Sequence, residues 1–194
     1  MNSQSMGINA INSDLERDKL DLYETPQGFT EALLNVEKFN KEIWEPTAGN
    51  MAIVNVLIDN GHQVWPTDIL TREMAIHQMD FLGEQPLQYA GKYDIIMNPP
   101  FSSLCKFVDI AVQLCHMKVA AVMPISGLTS SERYETLWKK LPIKKFLVCP
   151  ARQVIKSSRG MINSQFCHMW AIFDKGYVGK PIVEWTPCIR YRGE

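Results

Sequence analysis

The sequence contains no Cys-x-x-Cys pair, no clustered histidines and no long apolar run, and it carries almost no net charge. Each shortage removes a class of protein. The five cysteines, Cys105, Cys115, Cys149, Cys167 and Cys188, stand apart. Their odd number, with no secretory signal, reads as reduced thiols in the core of a cytoplasmic protein. His62, His77, His116 and His168 show no metal-ligand spacing, so no metal site is expected. No apolar stretch is long enough to cross a bilayer, so no membrane partner is expected. A formal net charge of -1 builds no general attraction for a polyanion. Any contact with nucleic acid must therefore come from a local basic patch.

What is present suits one globular domain. The 194 residues are 46% hydrophobic and 21% charged, enough for a full core. Residues 1–22 mix Asn, Ser and Gly with the charged run Asp14–Lys19 and read as a flexible or loosely helical leading segment. Residues 23–194 read as a single domain with no internal repeat.

Strand and helix patterns alternate along that domain. Thr25 is expected to cap a helix with Pro26 at its first position, ending near Phe39-Asn40. A strand at 42–44 breaks at Glu45-Pro46-Thr47-Ala48-Gly49-Asn50, and Met51, Ala52, Val54, Leu57 and Ile58 then recur at helical spacing as far as Gly61. A second strand starts at His62 and ends near Asp68, and a short helix is expected from Ile69 to about Met79. Further strands are expected at 93–97, 118–123, 143–148 and 166–173. Helices are expected to start at Ser102 or Ser103 and at Ser130 or Ser131. The alternation points to an α/β fold with a parallel-rich sheet.

Two stretches carry chemistry. The strand Tyr93–Met97 runs into Asn98-Pro99-Pro100-Phe101, where two prolines end the ladder and stiffen the backbone. An Asn amide oxygen beside a fixed backbone carbonyl makes a pair of acceptors for one amino group, and Phe101 offers a flat face next to it. That pattern suits a planar ring with an exocyclic NH2, although a proline turn with Phe101 returning to the core fits the same residues. The other stretch is the turn after the first strand. There Gly49 lets a ligand approach the backbone, and Asp68 lies roughly 20 positions on, where a ribose could be held. Asp68 could also serve as a helix cap, and Asp80 as a solvated turn residue. Arg152 to Gly160 reads as a mobile loop whose Arg152, Lys156 and Arg159 could contact phosphates or stay solvated.

Taken in order, Tyr23-Glu24-Thr25-Pro26, Glu45-Pro46-Thr47-Ala48-Gly49, Thr67-Asp68-Ile69, Asp80-Phe81-Leu82 and Asn98-Pro99-Pro100-Phe101 resemble a known family. This is the S-adenosylmethionine-dependent amino-methyltransferases, especially adenine-N6 DNA methyltransferases and small phage-type relatives. The resemblance covers roughly residues 23–174. It implies a Rossmann-like class I methyltransferase sheet, mostly parallel with a late antiparallel strand and helices on both faces. It implies S-adenosylmethionine as cofactor and a nucleic acid, DNA first, as partner. Tyr23, Thr25, Pro26, Glu45, Pro46, Ala48 and Gly49 would surround the methionine part, and Asp68 the ribose. Ile69, Asp80 and Phe81 would surround the adenine. Asn98, Pro99, Pro100 and Phe101 would bind the target amino group and stack on a flipped base. RNA adenine, a protein glutamine amide, or cofactor binding without turnover are the alternatives. The chain departs from the pattern in two ways. Met51 stands where members often have a second glycine, and 194 residues leave little room for a target-recognition domain.

Overall fold

The computed structural model describes residues 24–71, 73–149, 154–157, 160–163 and 167–186, with backbone alone for 85, 154–157 and 160–163. In chain order, α1 (Gln27–Val36) leads into β1 (Glu42–Glu45). Next come α2 (Ala52–Asp59), β2 (Gln63–Asp68), the short β3 (His77–Gln78) and β4 (Asp94–Met97). Then follow α3 (Leu104–Leu114), β5 (Lys118–Pro124), the single turn α4 (Ser131–Arg133) and β6 (Ile143–Val148). The chain closes with β7 (Val154–Ser157), β8 (Gly160–Asn163), β9 (His168–Asp174) and β10 (Ile182–Trp185).

Eight strands form one sheet in the order β10-β6-β9-β5-β4-β1-β2-β3. Its pairs are parallel except those of β9, which runs against both β5 and β6. The expected mostly parallel sheet with one late antiparallel strand is the observed one. Side chains alternate across a strand, and here the alternation sorts two cores. Ile43, Ile96, Ala120, Val122, Trp170 and Ile172 pack with Phe29 and Leu33 of α1 and Ile53 and Leu57 of α2. Trp44, Ile95, Met97, Val119, Ala121 and Met123 pack with Leu104, Val108 and Ala111 of α3. Helices therefore cover both faces, and the continuous apolar runs of β4 and β5 follow from burial on both sides.

The edge of the sheet at the amino ends of β4 and β5 is tied by charge. Buried Asp94 accepts from the backbone N–H groups of Asn40, Met117 and Lys118. Buried Glu37 pairs with Lys118 at 2.6 Å and Lys144 at 2.8 Å, and Asp174 joins Lys144 at 3.3 Å. A register shift between Ile143 and Lys145 sets Lys144 out of the ladder, and such a bulge re-aims a side chain. Lys145 reaches Glu184 at 2.6 Å. Lys144 and Lys145 are thus committed to internal ion pairs.

Several expectations need correction. Pro26, not Thr25, occupies the N-cap position of α1, which stops at Val36. No helix forms between Ile69 and Met79 among the described residues. Ile69, Leu70 and Met74 are exposed there while Ile76 and Met79 are buried, too little of a continuous apolar face to hold a short helix. The stretch expected as a mobile loop contains the β7–β8 hairpin, consistent with its β-branched Val154 and Ile155. Not every cysteine is a core residue, since Cys167 is exposed. Strand β10 was not anticipated. The leading segment 1–22, Tyr23, Arg152, Arg159 and Cys188 lie outside the described residues. Among those described, no helix is long and apolar enough to cross a membrane.

Candidate active site

Parallel strands end at one edge, and there the loops after β1, β2 and β4 enclose a cavity of about 330 Å³. A crevice outside the carboxyl ends of strands is the common ligand site of open α/β sheets. The turn after β1 is built first. Ala48 N–H donates to the Thr67 carbonyl at 3.0 Å, and Met51 N–H closes a turn on the Ala48 carbonyl at 2.7 Å. Gly49 has φ +53° and donates its N–H to Asp68 Oδ2 at 3.0 Å. Met51 takes φ +68°, a conformation that favours glycine. Its side chain packs on the small cluster of Ala48, Val54 and Ile76 and is absent from the cavity lining.

Glu45, at the tip of β1, is buried against the cavity. Its Oε1 accepts from both the N–H (3.0 Å) and the hydroxyl (2.7 Å) of Thr47, whereas Oε2 has no hydrogen-bond partner among the described residues. Burial pushes the carboxyl up to about 8. The two Thr47 bonds oppose that rise, and the charge of Asp68 adds to it. An unpartnered buried carboxylate oxygen calls for a donor. Asp68, at the tip of β2, holds Leu70 N–H on Oδ1 at 2.9 Å and Gly49 N–H on Oδ2. A carboxylate oxygen accepts more than one bond, so both retain capacity toward a ligand.

The wall beyond Asp68 is apolar. Phe81 is buried, edge-on to Trp44 at 5.0 Å and stacked on Phe107 at 5.5 Å. Ile69, Leu82 and Phe107 line the cavity with it. Asp80 lines the rim, its Oδ1 taken by Leu82 N–H at 2.9 Å.

The double proline follows β4. Asn98 lines the same cavity and donates its amide N–H to the Thr25 hydroxyl at 3.0 Å, which fixes the amide plane. Thr25 therefore braces the Asn98 amide rather than capping α1. Pro46 and Pro100 line the cavity, while Pro26, Pro99 and Phe101 do not. The Phe101 ring stacks instead on the His168 imidazole at 5.4 Å. The structure therefore gathers Thr25, Glu45, Pro46, Ala48, Gly49, Asp68, Ile69, Asp80, Phe81, Asn98 and Pro100 around one cavity. Lys156 falls on β7, where only backbone is described. Sequence reasoning missed Thr47, Leu82 and Phe107 as parts of the site. Thr47 was legible as the residue between Pro46 and Ala48, but only the fold turns its hydroxyl to Glu45.

No family model matches the sequence, and no curated protein matches it. Solved structures do. A Listeria monocytogenes protein described as a class I S-adenosylmethionine-dependent methyltransferase aligns with a TM-score of 0.57 and 14% identity over 81% of this chain. This chain spans 62% of that protein's length. An Agrobacterium tumefaciens protein described as a predicted O-methyltransferase aligns with a TM-score of 0.58 and 10% identity, covering 88% of this chain and 90% of that one. A Pyrococcus horikoshii protein described as an RNA methyltransferase gives 0.55 and 14%, covering 79% and 86%. The fold of this chain is the Rossmann-like fold of these structures. At such identities the likeness is one of fold, and function has to be argued from the site.

Proposed function

We propose that this chain transfers a methyl group from S-adenosylmethionine to an exocyclic amino group, and that the acceptor is adenine N6 in DNA. The observation that carries the reading is that Asn98, from the Asn-Pro-Pro-Phe tip, lines the same cavity as Glu45, Gly49 and Asp68. On this reading one cavity serves both as cofactor crevice and as holder of the acceptor amino group.

The donor set fits the cofactor. Glu45 Oε2 is left without a partner among the described residues, and beside the ammonium of the methionine part this carboxyl would give up its proton and accept from the ammonium. Thr25, Pro46, Ala48 and Gly49 would enclose that part, with Pro26 and Tyr23 beside it. Asp68 would accept from the ribose hydroxyls. The apolar wall of Ile69, Phe81, Leu82 and Phe107 suits a flat ring, with Asp80 at its polar edge. When bound, S-adenosylmethionine supplies a methyl group on a positively charged sulfur. The Asn98 amide and the Pro99 carbonyl would hold the acceptor nitrogen and its growing positive charge, and a rigid frame makes such acceptors effective. Pro100 would stiffen that frame, and Phe101 would stack on the base. Arg152, Lys156 and Arg159 would contact phosphates. The likeness to a protein described as an RNA methyltransferase keeps RNA as the second polymer to test.

The test is transfer of labelled methyl from S-adenosylmethionine to DNA, RNA and protein offered separately. Label is expected in DNA adenine. Asn98→Ala is expected to lose about a hundredfold or more of the transfer rate while still binding cofactor. Label in protein amides alone, or an Asn98→Ala variant that transfers normally, overturns the reading.

A further inference from the structure

His168 lies at the start of β9, opposite Pro124 at the end of β5, and so on the same sheet edge as the Asn-Pro-Pro-Phe tip of β4. It is only 7% exposed. Its ring stacks on Phe101 with centroids 5.4 Å apart and planes 26° from parallel. Burial holds the imidazole below its usual range, so the ring is neutral at pH 7 and stacks as an aromatic rather than as a cation. The backbone around it is fixed, because Ile125 N–H donates to the Cys167 carbonyl at 2.9 Å and ties the loop after β5 to the entry of β9. His168 is not part of the cavity lined by Glu45 and Asp68. Its one described side-chain ring contact is with the acceptor tip.

We propose that His168 is the positioning residue of the acceptor side: its ring sets the plane of Phe101, and Phe101 in turn sets the plane of the nucleobase presented to Asn98. This rests on the reading of the site as an amino-methyltransferase. The stacking places a π-face, rather than a charge, behind Phe101, so the wall would take any planar base and leave the choice of amino group to Asn98. Cofactor binding would be indifferent to His168, and acceptor binding would not.

The experiment compares wild type, His168→Phe, His168→Leu, Phe101→Leu and the His168→Leu/Phe101→Leu double variant. Each is measured for thermal midpoint, cofactor affinity by calorimetry, and kcat and KM for unmethylated DNA. His168→Leu is expected to raise KM for DNA about tenfold, the size of a lost aromatic stack, with cofactor affinity unchanged. His168→Phe keeps a ring and should stay near the wild-type KM. The double variant should be no worse than Phe101→Leu alone, since the two residues act through one contact. Unchanged KM in His168→Leu, loss of cofactor affinity in parallel with KM, or additive effects in the double variant each overturn the proposal. If His168→Leu does not fold, the His168→Phe and Phe101→Leu results decide: a tenfold rise in KM for His168→Phe is then the overturning result. Wild type that binds cofactor but methylates no polymer refutes the methyltransferase reading itself, a different outcome from any of these.

Discussion

Glu45 concentrates the chemistry of the site in one side chain. A carboxyl raised from its ordinary value of 4.5 to about 8 holds its proton in the folded protein while the unfolded chain gives it up. The folded state then binds more protons than the unfolded state between those two values, so this group makes stability fall as pH rises from about 4.5 to about 8. Replacing Glu45 with Gln should remove that fall, raising stability at pH 8 by on the order of a few kcal/mol relative to wild type while leaving pH 4 nearly unchanged. Urea unfolding at several pH values reads this directly, and parallel curves for the two proteins would refute it. The same variant should bind cofactor more weakly above pH 8, where wild-type Glu45 is charged and the amide offers no negative charge to an ammonium.

Among the elements, α2 and its ends carry the crevice. Its carboxyl end is a tight reversal: Gly61 N–H donates to the Ile58 carbonyl and His62 N–H to the Leu57 carbonyl, with Gly61 at φ +87°. This is the double-bonded helix stop that requires a left-handed residue. No atom lies within 4 Å of where a Cβ would sit on Gly61, so a substitution there is opposed by backbone conformation alone. Gly61→Ala should cost about 1 kcal/mol in chemical denaturation, with activity retained. A loss several times larger would mean that the turn contributes contacts beyond its conformation. The amino end of α2 shows the opposite choice. Met51 accepts the same left-handed region, and burial of its side chain on Ala48, Val54 and Ile76 offsets the strain. The missing second glycine therefore does not put a side chain into the cavity.

The whole molecule separates its two jobs by the polarity of the sheet. The carboxyl edge carries the cavity, and the amino edge carries the ion-pair cluster of Glu37, Lys118, Lys144 and Asp174. Burial would raise the Glu37 carboxyl, but the bonds and charges of Lys118 and Lys144 outweigh it and hold it below its ordinary value. A depressed carboxyl adds stability above its unfolded value, and that stability is lost as pH falls through the folded value. Glu37→Gln should destabilise the protein at pH 7 by about 3 kcal/mol, because lysines are left beside an uncharged group. The deficit should shrink below pH 4, and cofactor affinity should not change. A change in affinity would mean that the two edges are coupled.

The α/β order and the short motifs that line the cavity can be read along the chain, whereas the direction of β9 is a matter of its pairing with β5 and β6. Order and motifs are local properties: apolar runs, proline stops, and glycine or acidic residues just after strands. Only the tertiary structure decided what depends on distant neighbours. The stretch 69–79 looks helical by spacing, yet leaves Ile69, Leu70 and Met74 exposed and pairs His77–Gln78 with β2 instead. Thr25 lies 73 residues before Asn98, and only packing of α1 beside β4 turns a cap candidate into the group that orients the amide. Lys144 and Lys145 are adjacent positive charges in the chain, and folding brings acids that pair with both. His168, scattered in sequence, meets Phe101 because β9 enters the sheet antiparallel and starts at the edge where β4 ends. Local residue preferences specify which strands and helices form, whereas the pairing of side chains far apart in the chain is set by strand order and direction.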